Sequence, residues 1–205
     1  MTTSGEDRRE AFGITILGAQ HPDIRRLKRH HQSRIHGNKL WSASYLLMDY
    51  LQQNPPPLHS HILDVGCGWG LAGIHCARNY SAEVVAADAD AEVFPFLQLH
   101  ADYNGVEIET RQSRFEELSI EQLAGFDWLI GADICFWDEL AEPVFELIAR
   151  ACDAGVGKIV IADPERPPFF EMAEQCVEAF YGEIEARVIE HPRHCSGALL
   201  IIENL

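Results

Sequence analysis

Apolar and polar positions change rhythm several times along the chain. Leu40, Trp41, Tyr45, Leu47, Met48 and Leu51 recur at helical spacing and predict an amphipathic helix over Lys39–Gln53, opened by Gly37-Asn38 and stopped by Asn54-Pro55-Pro56-Pro57. From residue 60 onward short apolar runs alternate with helical periods. The runs are 62–65, 83–88, 106–110, 126–131 and 158–162, and the intervening helices are 71–80, 91–104, 120–123, 139–153 and 169–181. Five apolar strands alternating with helices predict a parallel, doubly wound sheet. The segments 183–190 and 198–202, joined by a Gly-containing turn over 193–197, predict an antiparallel edge hairpin that completes seven strands. Before the helix, residues 1–20 read as polar and irregular with one β-prone piece at 13–17, and residues 22–35 read as basic and partly helical. The expected fold is α/β, a Rossmann-like seven-stranded sheet with an N-terminal helical appendage. The expected division is 1–54 as extension and 55–205 as core.

A length of 205 residues is enough for one substantial core. No apolar run reaches the ~20 residues of a membrane span, and the first ten residues lack an apolar signal core. A cytoplasmic protein without membrane attachment is therefore expected. Charge is uneven: residues 1–39 carry eight Lys/Arg against four acids, so residues 40–205 hold a net −20. Such a body repels phosphate backbones and argues against nucleic acid as partner, while a cationic partner would be drawn to it. Solubility alone would also account for it. Six cysteines without a Cys-x-x-Cys pair read as buried thiols in a reducing compartment. His191-Pro192-Arg193-His194-Cys195 carries metal-capable side chains, but no second cluster completes a ligand set, and no metal is expected.

The chemistry concentrates where the first core strand runs into Asp64-Val65-Gly66-Cys67-Gly68-Trp69-Gly70. A strand, a glycine-rich turn and a helix form a nucleotide-type site, because glycines adopt positive φ and let a ligand approach the backbone. Gly68-x-Gly70-x-x-Gly73, with Asp88 about 20 residues on, also fits the dinucleotide fingerprint. Asp64 turns the reading elsewhere: an acid at a strand end can bind a cation such as an ammonium. A ligand with an amino-acid end, a ribose and a base suits the loop, and S-adenosyl-L-methionine is such a ligand. Trp69 could cover the loop.

These residues resemble the class I, seven-strand, S-adenosylmethionine-dependent methyltransferases over about residues 37–205. The resemblance implies a cofactor set of Trp41, Asp64, Gly66, Cys67, Gly68, Gly70, Asp88, Ala89, Ala132 and Asp133, with S-adenosyl-L-homocysteine as product. Asp88 takes the place of the acid that accepts the ribose hydroxyls, with Asp90 as its rival. Ser113, Arg114 and Phe115 fall where the adenine side should be. Gly37-Asn38-Lys39-Leu40-Trp41 resembles the Gly-x-x-x-Trp segment of the family-16 lysine methyltransferases, and Phe126 to Phe136 resembles their strand-four ending, with Phe136 in place of a Tyr. Ala162-Asp163-Pro164-x-Arg166-Pro167 is similar to the strand-five ending of the electron-transfer-flavoprotein lysine methyltransferase branch. The resemblance implies methyl transfer to a protein lysine, with Asp133 and Phe136 as catalytic residues. A carboxylate at Asp133 could orient an amine, with Phe136, Trp137 and Trp41 as walls. Trp41 could equally be core packing, and Asp133 a helix cap. A small-molecule acceptor, a cationic one included, keeps the same cofactor. A non-catalytic S-adenosylmethionine-binding scaffold and a nicotinamide oxidoreductase are the remaining readings.

Overall fold

The computed structural model describes residues 7–32 and 39–204. A hairpin comes first, β1 (Arg8–Ala11) and β2 (Ile14–Leu17), followed by α1 (Pro22–Leu27) and α2 (Ser42–Gln53). Then come β3 (His61–Val65), α3 (Leu71–Tyr80), β4 (Glu83–Asp88), α4 (Phe94–Asn104), β5 (Glu109–Gln112) and α5 (Ile120–Leu123). The chain closes with β6 (Trp128–Ala132), α6 (Ala141–Asp153), β7 (Lys158–Asp163), α7 (Pro167–Phe180), β8 (Glu183–Ile189) and β9 (Cys195–Glu203).

The seven-stranded sheet has the order β5-β4-β3-β6-β7-β9-β8. All pairings from β5 to β7 are parallel, and β9 runs antiparallel to both β7 and β8. Strand parity sorts the core. Ile62, Val84, Ala86, Ile130, Val160 and Leu199 face α2 and α3, while Leu63, Val65, Leu129, Ile161 and Leu200 face α6 and α7. The order reverses between β3 and β6, so a crevice opens beyond their carboxyl ends, where ligands bind in such sheets.

The α/β fold and its edge hairpin match expectation, and four local expectations do not. First, residues 1–20 contain a second strand, β1, which its exposed, charged pattern conceals. Second, the helix after residue 39 begins at Ser42, with Trp41 extended at its N-cap; Gly37-Asn38 lies outside the described residues. Third, β5 starts at Glu109 instead of Val106. Gly105 ends α4 in the left-handed conformation, and the Val106 N–H turns back to the Ala101 carbonyl at 3.2 Å. Val106 and Ile108 therefore cover the core from a loop, and their alternation imitates a strand. Fourth, Gly197 belongs to β9 and not to the turn: a Cβ there would collide with the Asp163 carbonyl oxygen and with the Leu46 side chain. Its role is close approach.

The N-terminal hairpin is tied down by side chains of α3 and α4. Asn104 Oδ1 accepts from the Thr15 N–H at 2.7 Å, and its Nδ2 donates to the Thr15 carbonyl at 3.0 Å. The His100 Nε2 accepts from the Leu17 N–H at 3.2 Å while Nδ1 faces the Phe96 carbonyl at 2.8 Å, which requires the neutral ring. Burial lowers the His100 pKa accordingly. Asn104→Ala leaves the buried Thr15 N–H without its acceptor and should cost about 2 kcal/mol. Urea denaturation reads this as a lowered midpoint. An unchanged midpoint would mean that the hairpin unfolds independently of the core.

Candidate active site

The loop joining β3 to α3 is built by left-handed glycines and held by two acids. Gly66, Gly68 and Gly70 have φ of 60°, 53° and 73°. A Cβ on Gly66 would strike Ile134 at 2.6 Å, whereas one on Gly68 would meet nothing within 4 Å. Gly68 thus presents bare backbone to open space, as a closely approaching ligand requires. Asp64 lies under the loop, 2% exposed, with Oδ2 accepting from the Gly73 N–H at 3.0 Å. Asp88, at the end of β4, accepts from the Gly68 N–H at 3.0 Å and from the Asp90 N–H at 2.9 Å. Burial raises both carboxyl pKa values, that of Asp64 to about 7, against the pull of the backbone N–H groups. Proximity of the two acids adds to the rise at Asp64. Trp69 anchors the loop from behind. It is buried and stacks on Phe96 with ring centroids 5.1 Å apart and planes 5° apart.

A cavity of about 270 Å³ opens at this point. It collects residues that lie far apart in sequence: Trp41, Gly66, Gly68, Asp88, Ala89, Ala132, Asp133 and Phe136. Asp64, Cys67 and Gly70 line a small adjoining recess of about 30 Å³, together with Lys39, Leu40 and Ser44. Ser113, Arg114, Phe115 and Glu116 form the wall beyond β4 and β5, and Trp137 and Leu140 extend the wall beyond β6. Phe136 and Trp137 pack edge to face at 4.8 Å. Asp90 is placed differently from Asp88: its Oδ1 accepts from the Glu92 N–H at 3.1 Å and caps the 3-10 turn before α4. It is absent from the residues lining the cavity.

The acid at the end of β6 is not presented alone. Asp133 takes a left-handed φ of 63°, fixed by its N–H bonding the Ala162 carbonyl at 2.8 Å. Its Oδ1 is ion-paired with Arg166 Nη1. Arg166 also donates through Nη1 to Asp163 Oδ2 at 3.2 Å and through its backbone N–H to Asp163 Oδ1 at 2.7 Å. Asp163 is fully buried, and burial pushes its pKa up to about 6 despite Arg166. A strained backbone under a buried ion-pair cluster is typical of functional positions. Sequence reasoning placed Asp133 at the site and noted Arg166 only within a strand-end motif; Lys39, Glu116 and Leu140 were missed, since nothing in their local pattern points inward.

Residues 62–155 match the family model described as "Methyltransferase domain". A ubiquinone biosynthesis O-methyltransferase of Xanthomonas axonopodis is 30% identical over 124 residues, 59% of this chain and 50% of that protein. Another from Xylella fastidiosa is 36% identical over 80 residues, 39% and 32% of the two chains. The chain thus spans about half the length of the first of these curated relatives. Among solved structures, the Thermus thermophilus 16S rRNA methyltransferase RsmC, in complex with AdoMet and guanosine, superimposes with a TM-score of 0.68 at 21% identity. The match covers 97% of this chain and 50% of that one. A Geobacter metallireducens precorrin-6y methyltransferase gives a TM-score of 0.62 at 13% identity, over 80% and 90% of the chains. At these identities the likeness concerns the fold.

Residues 62–155 thus resemble a methyltransferase domain, and the chain shares the fold of solved methyltransferases. The fold around that stretch brings the strand reversal, the glycine loop and the acid that ends β4 into one crevice. The residues of this crevice fit S-adenosylmethionine: bare backbone at Gly68, a carboxylate at Asp88, and a recess lined by Asp64 and Lys39 for an amino-acid end. The finer expectation of a protein-lysine acceptor has no counterpart in the two relatives named above, which are ubiquinone biosynthesis O-methyltransferases, and the Asp133 carboxylate is ion-paired with Arg166. Among the described residues, no helix is long and apolar enough to cross a membrane.

A carboxyl group whose folded pKa is raised stabilises the fold below its unfolded pKa of ~3.9, and that contribution is lost as pH rises through the folded value. For Asp64 the folded value is about 7. Asp64→Asn retains an oxygen for the Gly73 N–H and removes this loss. Without cofactor, its stability relative to the parent should therefore grow by about 2–3 kcal/mol from pH 5 to pH 8. Urea titrations at both pH values read this difference; a constant gap would place the Asp64 ionisation outside that window.

Proposed function

We propose that this protein transfers the S-adenosylmethionine methyl group to a hydroxyl oxygen of a small, planar, uncharged acceptor. The observation that carries this reading is the acceptor wall beyond β6. Trp41, Phe136, Trp137 and Leu140 offer flat apolar surfaces, and the acid among them, Asp133, is ion-paired with Arg166. Its negative charge is therefore partly compensated before any acceptor arrives. The curated relatives named as O-methyltransferases of ubiquinone biosynthesis support a hydroxyl-bearing small molecule. The net charge of −16 supports it over a nucleic acid. Free cysteines throughout the described residues fit a reducing, cytoplasmic setting.

When bound, S-adenosylmethionine supplies an electrophilic sulfonium methyl. In this reading Asp88 holds the ribose hydroxyls with the lone pairs left beside its two backbone bonds. Asp64 and Lys39 receive the ammonium and carboxylate of the amino-acid end, and Phe115 flanks the base. Phe136 and Trp137 hold the acceptor ring, excluding water, so that its oxygen lies in line with the reacting methyl. Asp133 accepts the hydrogen bond of the acceptor hydroxyl and takes up its proton as the oxygen is methylated, with Arg166 holding the carboxylate in place. Lys39 and Trp41 precede residue 55, so the N-terminal part contributes to the site as well as flanking the core.

Calorimetric titration tests the cofactor half: S-adenosylmethionine should bind and NAD should not, and Asp88→Ala should weaken binding by about tenfold or more. Transfer of radiolabelled methyl to catechols, amines, lysine peptides and RNA tests the acceptor half. Label on the catechols is expected. Label on lysine peptides alone would restore the protein-directed reading, and label on RNA alone a nucleic-acid one. Asp133→Asn, tolerated by left-handed backbone, should keep cofactor affinity while turnover falls by about 100-fold. Full turnover would remove Asp133 from the chemistry.

A further inference from the structure

The sheet ends on β8, whose outer edge has no partner strand among the described residues. Large exposed apolar side chains gather here: Tyr181 is 93% exposed, Val188 62% and Ile184 36%. Ile184, Ala186 and Val188 share one face of the strand, since side chains alternate. They lie opposite Leu200, Ala198 and Ser196 of β9, of which Leu200 and Ala198 belong to the layer covered by α6 and α7. That helical cover stops short of β8. Glu185 and Arg187 occupy the other face, where Arg187 pairs with Asp49 of α2 at 2.6 Å and with Glu185 at 2.5 Å. Charged side chains normally guard an edge strand. Here Glu185 and Arg187 leave the face of Ile184, Ala186 and Val188 unguarded.

We propose that β8 pairs antiparallel with β8 of a second copy about a two-fold axis through Ala186, giving one continuous sheet. The central five residues of the strand, Ile184-Glu185-Ala186-Arg187-Val188, are self-complementary about Ala186. In this register Ile184 faces Val188 of the partner subunit, Glu185 faces Arg187 of the partner subunit, and Ala186 meets its own copy. Directly opposed apolar and opposite-charge pairs stabilise an antiparallel ladder, and like charges destabilise it. Moving the axis to Glu185 or to Arg187 sets that residue against itself, so charge selects Ala186. Two chains of net charge −16 repel each other. Physiological salt screens that repulsion beyond about 8 Å, while the paired strands are in direct contact. An edge of this length gives a small interface, and a reversible micromolar dimer is the expected strength.

Sedimentation velocity from about 1 to about 200 micromolar tests the association. The parent protein should pass from monomer to dimer across that range. Val188→Lys, at an exposed position, should remain monomeric with its thermal midpoint and S-adenosylmethionine affinity unchanged. The register has its own test. Ala186→Cys should form a covalent dimer under mild oxidation, because opposed Cα atoms lie about 4.5–5.5 Å apart in such a ladder, within disulfide reach. Val188→Cys should not, since its copies would sit about 13 Å apart along the strands. The parent, with its native cysteines, is the background control. A monomer at the highest concentration, a dimer surviving Val188→Lys, or cross-linking at 188 equal to that at 186 would overturn the proposal.

Discussion

Two buried carboxylates accept the N–H groups around the turn from β3 to α3, and the ligand crevice depends on that arrangement. A chain that takes left-handed φ at Gly66, Gly68 and Gly70 cannot satisfy its N–H groups by a regular ladder. Asp64 and Asp88 supply the missing acceptors, at Gly73 and Gly68 respectively. The arrangement concentrates negative potential, since burial already disfavours both charges and the Asp88 charge raises the pKa of Asp64 further. A cationic ligand relieves that field and an anionic one aggravates it. The same constraint therefore separates S-adenosylmethionine, with its sulfonium and ammonium, from a dinucleotide whose pyrophosphate would face two acids. The formal Gly68-x-Gly70-x-x-Gly73 match is a consequence of tight turning shared by both ligand classes.

Most of the sheet was legible because buried parallel strands are short apolar runs, and nothing else in the chain imitates them for long. Residues 71–80 and 83–88 fall within the predicted bounds since apolar period and glycine punctuation agree there. The failures share another cause. Val106 and Ile108 are apolar because they cover the core from a loop, Gly197 is a glycine because a helix side chain and a carbonyl press on it, and β1 is polar because its strand is exposed. Each depends on a neighbour distant in sequence. At the site, Asp64 and Asp88 could be read from the loop motif. The Asp133–Arg166 pair could not, because 33 residues separate the partners and only the side-by-side pairing of β6 and β7 joins them.

That pair also bears on the acceptor. Asp133, Arg166 and Asp163 form a cluster in which one guanidinium serves two acids, one of them fully buried. Breaking a buried ion pair by withdrawing one partner costs about 3–5 kcal/mol. A protonated amine seeking Asp133 would compete with Arg166 for the same oxygen and would leave the guanidinium to Asp163 alone. A neutral hydroxyl makes no such demand: it donates one hydrogen bond to a carboxylate that keeps its cation. Desolvation favours the same choice, since bringing an ammonium against Trp41, Phe136 and Trp137 strips its hydration, whereas a planar uncharged ring gains from contact with those side chains. An aromatic cage stabilises a cation through its ring faces, but the acid that would add to that attraction is already ion-paired with Arg166. Arg166 already answers part of the Asp133 charge, and the acceptor we propose is accordingly neutral and flat.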